Sequence, residues 1–146
     1  MHRRSFLLNS LLAAYLRGEE TSADPWKHAE LLKPEELAKM LNADETHCII
    51  CVTFPVLYRQ KHIPGARLAG PTNKPEGIAA LRAAVSGLHR DAEIVIYCGC
   101  CPMKNCPNVR PAYGALRRMK FSDIRVLDLP TNFHTDWETK GYPVEG

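Results

Sequence analysis

No stretch of this chain approaches the ~20 consecutive apolar residues of a membrane-spanning helix, so the mature protein is expected to work outside the bilayer. Charge of one sign is also scarce. Nineteen Lys and Arg face 16 Asp and Glu, a formal net charge of +3. An excess that small suits a small anionic substrate and excludes the dense basic patch of a nucleic-acid binder. From residue 24 onward there is no low-complexity tract and no internal repeat, so a repeat architecture is excluded. The histidines lack metal-ligand spacing; His28, His47, His89 and His134 read as solvated. What remains is 146 residues, 45% hydrophobic and 24% charged, the make-up of one globular domain. A chain of that length buries roughly two-thirds of its unfolded surface and needs neither metal nor disulfide merely to fold.

The first 23 residues differ from the rest. Arg3-Arg4 is followed by Ser5-Phe6-Leu7-Leu8, an Ala/Leu-rich stretch to Leu16, and small residues at Thr21-Ser22-Ala23. A charged start, a short apolar run and a small-residue end are the parts of a secretory signal. The paired arginines resemble a twin-arginine export motif. Residues 1–23 are therefore expected to be an export signal and 24–146 the domain, with a periplasmic or otherwise exported location. The alternative is an amphipathic N-terminal helix capping a cytoplasmic protein.

Within the domain, hydrophobic pattern and turn residues predict the elements. Pro34 to Leu41 opens with Pro and acids and carries apolar residues at helical spacing. Cys48 to Val52, Ile94 to Tyr97 and Ile124 to Leu127 are short continuous apolar runs, the mark of strands covered on both faces. Phe54 to Gln60 reads as one or two helical turns, and Pro64-Gly65 demands a turn. Pro75 to Leu88 places Ile78, Leu81, Val85 and Leu88 on one face. Ala112 to Met119 reads as a helix with Asn108 as a cap, and Phe133 to Thr139 as a last short one. Strands alternating with helices predict a single α/β domain: a central, mainly parallel sheet with helices on both faces.

In such sheets the reactive groups lie beyond the carboxyl ends of the strands. Directly after Ile94–Tyr97 comes Cys98-Gly99-Cys100-Cys101-Pro102-Met103-Lys104-Asn105-Cys106-Pro107-Asn108-Val109-Arg110, which holds four of the six cysteines. A thiol at that exit is expected near the N-terminus of the next helix, where free amides favour an anion. Lys104 and Arg110 add positive charge if the loop folds back over them. Such surroundings lower a thiol's pKa and supply the nucleophilic thiolate. Cys98 is the candidate nucleophile. Gly99, Cys100, Cys101, Lys104 and Arg110 are the candidate substrate-binding residues.

Ile94-Val95-Ile96-Tyr97-Cys98, His62-Ile63-Pro64-Gly65-Ala66 and the ending Phe121 to Leu127, Trp137, Gly141-Tyr142-Pro143-Val144 together resemble the rhodanese family over Leu31 to Gly146. The resemblance implies a sulfurtransferase that needs no cofactor. Cys98 would take the outer sulfur of thiosulfate or a similar donor as a persulfide, release sulfite, and pass the sulfur to cyanide or a thiol. Three features depart from the family pattern. Cys51-Val52-Thr53 stands where Asp-x-Arg is usual, Arg110 lies twelve positions beyond Cys98, and Pro130-Thr131-Asn132 replaces the usual Gly-Gly. The long loop leaves room for a bulkier donor or a partner protein.

The additional thiols admit three readings. Cys101 or Cys106 resolves an oxidised Cys98; a Cys101–Cys106 or Cys100–Cys106 bridge holds the loop; or the cluster ligates a metal or iron–sulfur centre. Cys48 and Cys51, three apart in a strand, point to opposite faces and read as small hydrophobes. His62 reads as a turn residue, Trp26 and Trp137 as core and cover. Asp128 and Asp136 read as donor-orienting or helix-capping groups. Two rival functions remain: a thiol–disulfide redox protein using Cys98 and Cys101, and a non-catalytic metal-binding domain. A phosphatase would need Cys-x5-Arg, and Met103 and Lys104 stand where that Arg would fall.

Overall fold

The computed structural model describes residues 24–45 and 47–146. The export signal expected over residues 1–23 lies outside the described residues. No described helix is long and apolar enough to cross a membrane.

Five strands form the sheet: β1 (Leu31–Leu32), β2 (Cys48–Cys51), β3 (Arg67–Leu68), β4 (Glu93–Tyr97) and β5 (Asp123–Leu127). Their order is β1-β5-β4-β2-β3, and every pairing is parallel. The helices are α1 (Pro34–Asn42), α2 (Pro55–Gln60), α3 (Pro75–Val85), α4 (Val109–Arg118) and α5 (Phe133–Asp136). Proline stands in the first turn of α1, α2 and α3, where its missing N–H has no helical partner to lose. The two outer strands, each of two residues, escape the periodicity because a dipeptide has no pattern to show.

The sheet divides the core in two, and the pleat assigns the sides. Ile94, Ile96 and then Cys98 project from β4 toward α3 and α4, joining Leu81, Val85, Val109 and Leu116. Val95 and Tyr97 project the other way, among Leu37, Ile49, Cys51, Leu127 and Trp137. Cys48 packs with the first group and Cys51 lies in the second, the opposite-face placement that their spacing requires. Trp137 is completely buried and its indole N–H donates to the Pro143 carbonyl at 2.7 Å. It is a core residue.

The turn that starts at His62 is tied to the end of the chain. His62 stacks on Tyr58 with ring centroids 3.8 Å apart, and its Nδ1 lies 2.7 Å from the Tyr58 carbonyl. Its backbone bridges to Glu145, joining the His62–Ala66 turn to the chain end. The side chain is engaged in structure through one ring face and both nitrogens, Nε2 lying 3.3 Å from Glu145. His47 corrects the expectation of a solvated ring: it is nearly covered and pairs with Glu93 at 2.8 Å and Glu45 at 3.2 Å.

Candidate active site

Strand β4 is central in the sheet, and its chain leaves at Cys98, the next residue on the α3/α4 face. Gly99 then takes φ +75°, a left-handed conformation that glycine adopts freely. A Cβ there would also lie 2.6 Å from the Phe133 side chain, so glycine is required twice over. Its carbonyl accepts the Phe133 N–H at 3.1 Å, pinning the loop to α5. This reversal turns Cys100 back toward Cys98. The two sulfurs are 3.2 Å apart, and Cys101 Sγ is 3.0 Å from Cys100 Sγ. The chain continues through a 3₁₀ turn, Met103–Asn105, and returns Cys106 to the same spot. The sulfurs of Cys98, Cys100 and Cys106 all lie within 4.8 Å of one another. All six cysteines are thiols.

The Cys98 thiol shifts in the expected direction, but the groups that shift it are not the expected ones. Cys98 is buried, 5% exposed, and burial alone would raise its pKa. It is instead held well below the ordinary thiol value. The first cause is the Cys100 thiol donating to it, then the Cys106 thiol; the Asn108 side chain and the Cys100 amide add to this. Cys100 and Cys106 are pushed up for the same reason, since each keeps the proton it donates to the Cys98 sulfur. Cys98 is therefore the thiolate of the three, with Cys100 and Cys106 as its protonated donors.

Three parts of the predicted cradle lie elsewhere. The amides at the start of α4, from Asn108 and Val109, donate to Cys106 and not to Cys98. Arg110 faces away from the thiolate. Its guanidinium pairs with Asp24, lies 5.3 Å from the centre of the Trp26 ring, and donates to the carbonyls of Met103 and Cys106 at 3.1 and 3.3 Å. A guanidinium with those partners braces the loop from behind. Lys104 is exposed on the 3₁₀ turn and does not line the cavity described below.

Asn108, read from sequence only as a helix cap, makes no side-chain capping bond. It is fully buried; its Nδ2 lies 3.5 Å from Cys98 Sγ, and its Oδ1 accepts the Asn73 N–H at 3.1 Å. Its carbonyl accepts the Thr72 hydroxyl. The carboxamide is thus oriented from the far side, with its N–H₂ toward the sulfur. The segment it reaches, 71–73, packs so closely on α3 that a Cβ at Gly77 would run into the Pro71 carbonyl. Nothing local in the sequence could show that Thr72 and Asn73 meet Asn108, because they lie 36 and 35 positions away.

Beyond the cluster opens a cavity of about 450 Å³, and it is Cys100 and Gly99 that line it, not Cys98. Its walls come from Gln60 and Lys61 at the end of α2 and from Asn132, Phe133 and His134 at the start of α5. Lys61 brings positive charge, opposed by Glu138 at 3.8 Å, and the same carboxylate lies 2.7 Å from His134 Nδ1. Sequence reading passed over these residues because α2 and α5 are far apart in the chain. Asp136, in contrast, performs the capping role: it accepts from the Thr131 and Asn132 amides at 2.7 and 3.0 Å.

A central parallel strand ending in a supported thiolate, within this strand order, agrees with what comparison of the sequence shows. Residues 33–129 match the rhodanese-like domain family. The chain belongs to that family. No curated protein sequence matches it. Among solved structures, the rhodanese-like domain of the Alr3790 protein from Anabaena sp is similar in solution at 23% identity and TM-score 0.58, covering 80% of this chain and 79% of that one. Its crystal structure gives 22% and 0.61, covering 79% and 82%. A thiosulfate sulfurtransferase from Pseudomonas aeruginosa is 18% identical with TM-score 0.58, covering 79% of this chain and 20% of that one. At such identities the likeness is one of fold. In this rhodanese-like domain, sulfur atoms of the loop after β4 occupy the surroundings of the strand-end cysteine.

Proposed function

We propose that this rhodanese-like domain is a sulfurtransferase that carries sulfane sulfur as a persulfide on Cys98, taken from thiosulfate or a similar small anionic donor. The supporting observation is the Cys98 sulfur itself, at the exit of the central strand, kept anionic by two thiols and the Asn108 carboxamide. A thiolate is the nucleophile that attack on a sulfane sulfur requires. Its sulfur forms a bond to the donor's outer sulfur, the donor's S–S bond breaks, and sulfite departs with the bonding pair. Lys61, in the adjoining cavity, supplies positive charge on the donor's approach. The N-terminal Arg3-Arg4 pattern supports export of the protein, and so a periplasmic place of action.

Intact mass and sulfite release after exposure of the reduced protein to thiosulfate test the reading. One sulfite per chain is expected, with none from Cys98→Ser. A folded wild-type protein that releases no sulfite would refute it.

A second reading draws on the three sulfurs within 4.8 Å of one another, a spacing that suits thiolate coordination of a soft metal ion. It predicts stoichiometric metal in the purified protein by elemental analysis, lost on Cys106→Ser.

A further inference from the structure

We infer that the sulfur accepted by Cys98 leaves as hydrosulfide, because Cys100 attacks the persulfide from within and closes a Cys98–Cys100 disulfide. The inference rests on the persulfide reading and names what consumes the persulfide. Four observations lead to it. The Cys100 sulfur lies 3.2 Å from Cys98 Sγ, already at the ~3–3.5 Å separation of a near-attack arrangement. Gly99, by its left-handed φ, holds the two thiols on the same side of the loop. Cys106 is buried at 3% exposure with the Asn108 and Val109 amides aimed at its sulfur, which suits a fixed donor better than a moving nucleophile. Cys101 makes its sulfur contact with Cys100.

The chemistry balances without an added oxidant. Thiosulfate leaves Cys98 as the persulfide anion and departs as sulfite. The Cys100 sulfur then forms a bond to the inner sulfur of that persulfide, the inner–outer S–S bond breaks, and the Cys100 proton goes to the departing outer sulfur. The products are one disulfide and one hydrosulfide ion: two thiol sulfurs are oxidised and the sulfane sulfur is reduced. Return to the dithiol takes a dithiol reductant, by exchange. Cys100 is the member of the pair that lines the open cavity, so it is the sulfur such a reductant can reach. The geometry therefore assigns Cys100 the resolving role, in place of Cys101 or Cys106.

The test is a single turnover of reduced full-length protein with thiosulfate and no other thiol, followed by sulfite and hydrosulfide assays, intact mass and disulfide mapping. Wild type is expected to yield one sulfite and one hydrosulfide per chain and to end two hydrogens lighter, with Cys98 joined to Cys100. Cys100→Ser is expected to yield sulfite alone and to end one sulfur heavier. Sulfite with a stable persulfide in the wild type would overturn internal resolution and leave the persulfide reading intact. Hydrosulfide with a Cys98–Cys101 or Cys98–Cys106 bridge would overturn the assignment to Cys100. Absence of sulfite would overturn both readings together.

Discussion

A buried thiolate must replace the water it has lost, and Cys98 does so with neighbours that are themselves weak donors. Each S–H or N–H contributes modestly, yet all converge on one sulfur whose burial opposes ionisation. Asn108 is the member that can be removed without touching another thiol. A hydrogen bond to a charged group is worth about 1.5–3 kcal/mol and one pKa unit 1.36 kcal/mol, so Asn108→Ala should raise the Cys98 midpoint by about one to two pH units. The lowered pKa keeps the thiolate fully formed in neutral solution. Single-turnover sulfite release from thiosulfate should therefore be flat between about pH 6.5 and 9, whereas an ordinary thiol rises toward its value of about 8.5. A wild-type rate that climbs through about pH 8 would contradict the site as described.

The element that carries the site is the loop from Cys98 to Asn108, and its shape is held from both ends. At its start the Gly99 carbonyl is bound to α5; at its end Arg110 grips the Met103 and Cys106 carbonyls while anchored on Asp24 and Trp26. Without those ties a loop of eleven residues lacking regular strand or α-helix would open locally at lower cost. Arg110→Ala should lower stability by roughly 1–3 kcal/mol, the scale of losing charged hydrogen bonds. It should also speed amide exchange over residues 101–106 and slow sulfite release. Unchanged exchange and turnover in that variant would remove Arg110 from the architecture of the loop. The strands and longer helices were legible from apolar runs and proline starts, because those signals are local. The loop's fold was not, since its partners come from α5, from residues 72–73 and from Asp24.

For the molecule as a whole, the thiols set a pH limit on stability. Cys48, Cys51, Cys100 and Cys106 have raised pKa values in the folded chain, Cys51 to about 12 mainly through burial. An unfolded chain gives up those protons at about pH 8.5, so their contribution is complete below that value and declines as pH rises toward the folded values. Cys98 has the opposite sign: its contribution grows as pH rises and is complete above about 8.5. With four groups against one, the melting temperature should fall steadily above about pH 8.5. Cys51→Ala should make that fall shallower. A melting temperature that rises between about pH 8.5 and 10 would show that the thiols are already bonded or metal-bound.

By itself the sequence determined the alternation of apolar strands and helices, hence the parallel sheet, and it placed Cys98 at the exit of a buried strand, which the fold makes the central one. Those properties follow from short-range pattern and from the topology that such alternation permits. It also put the remaining thiols of the loop within a few positions of Cys98. Only the tertiary structure decided which of them meet. The left-handed turn at Gly99 brings Cys100 to Cys98, the 3₁₀ turn returns Cys106, and Arg110 is drawn outward by Asp24 and Trp26. Spacing states how far a side chain can reach, but the direction in which it points is set by contacts made across the fold.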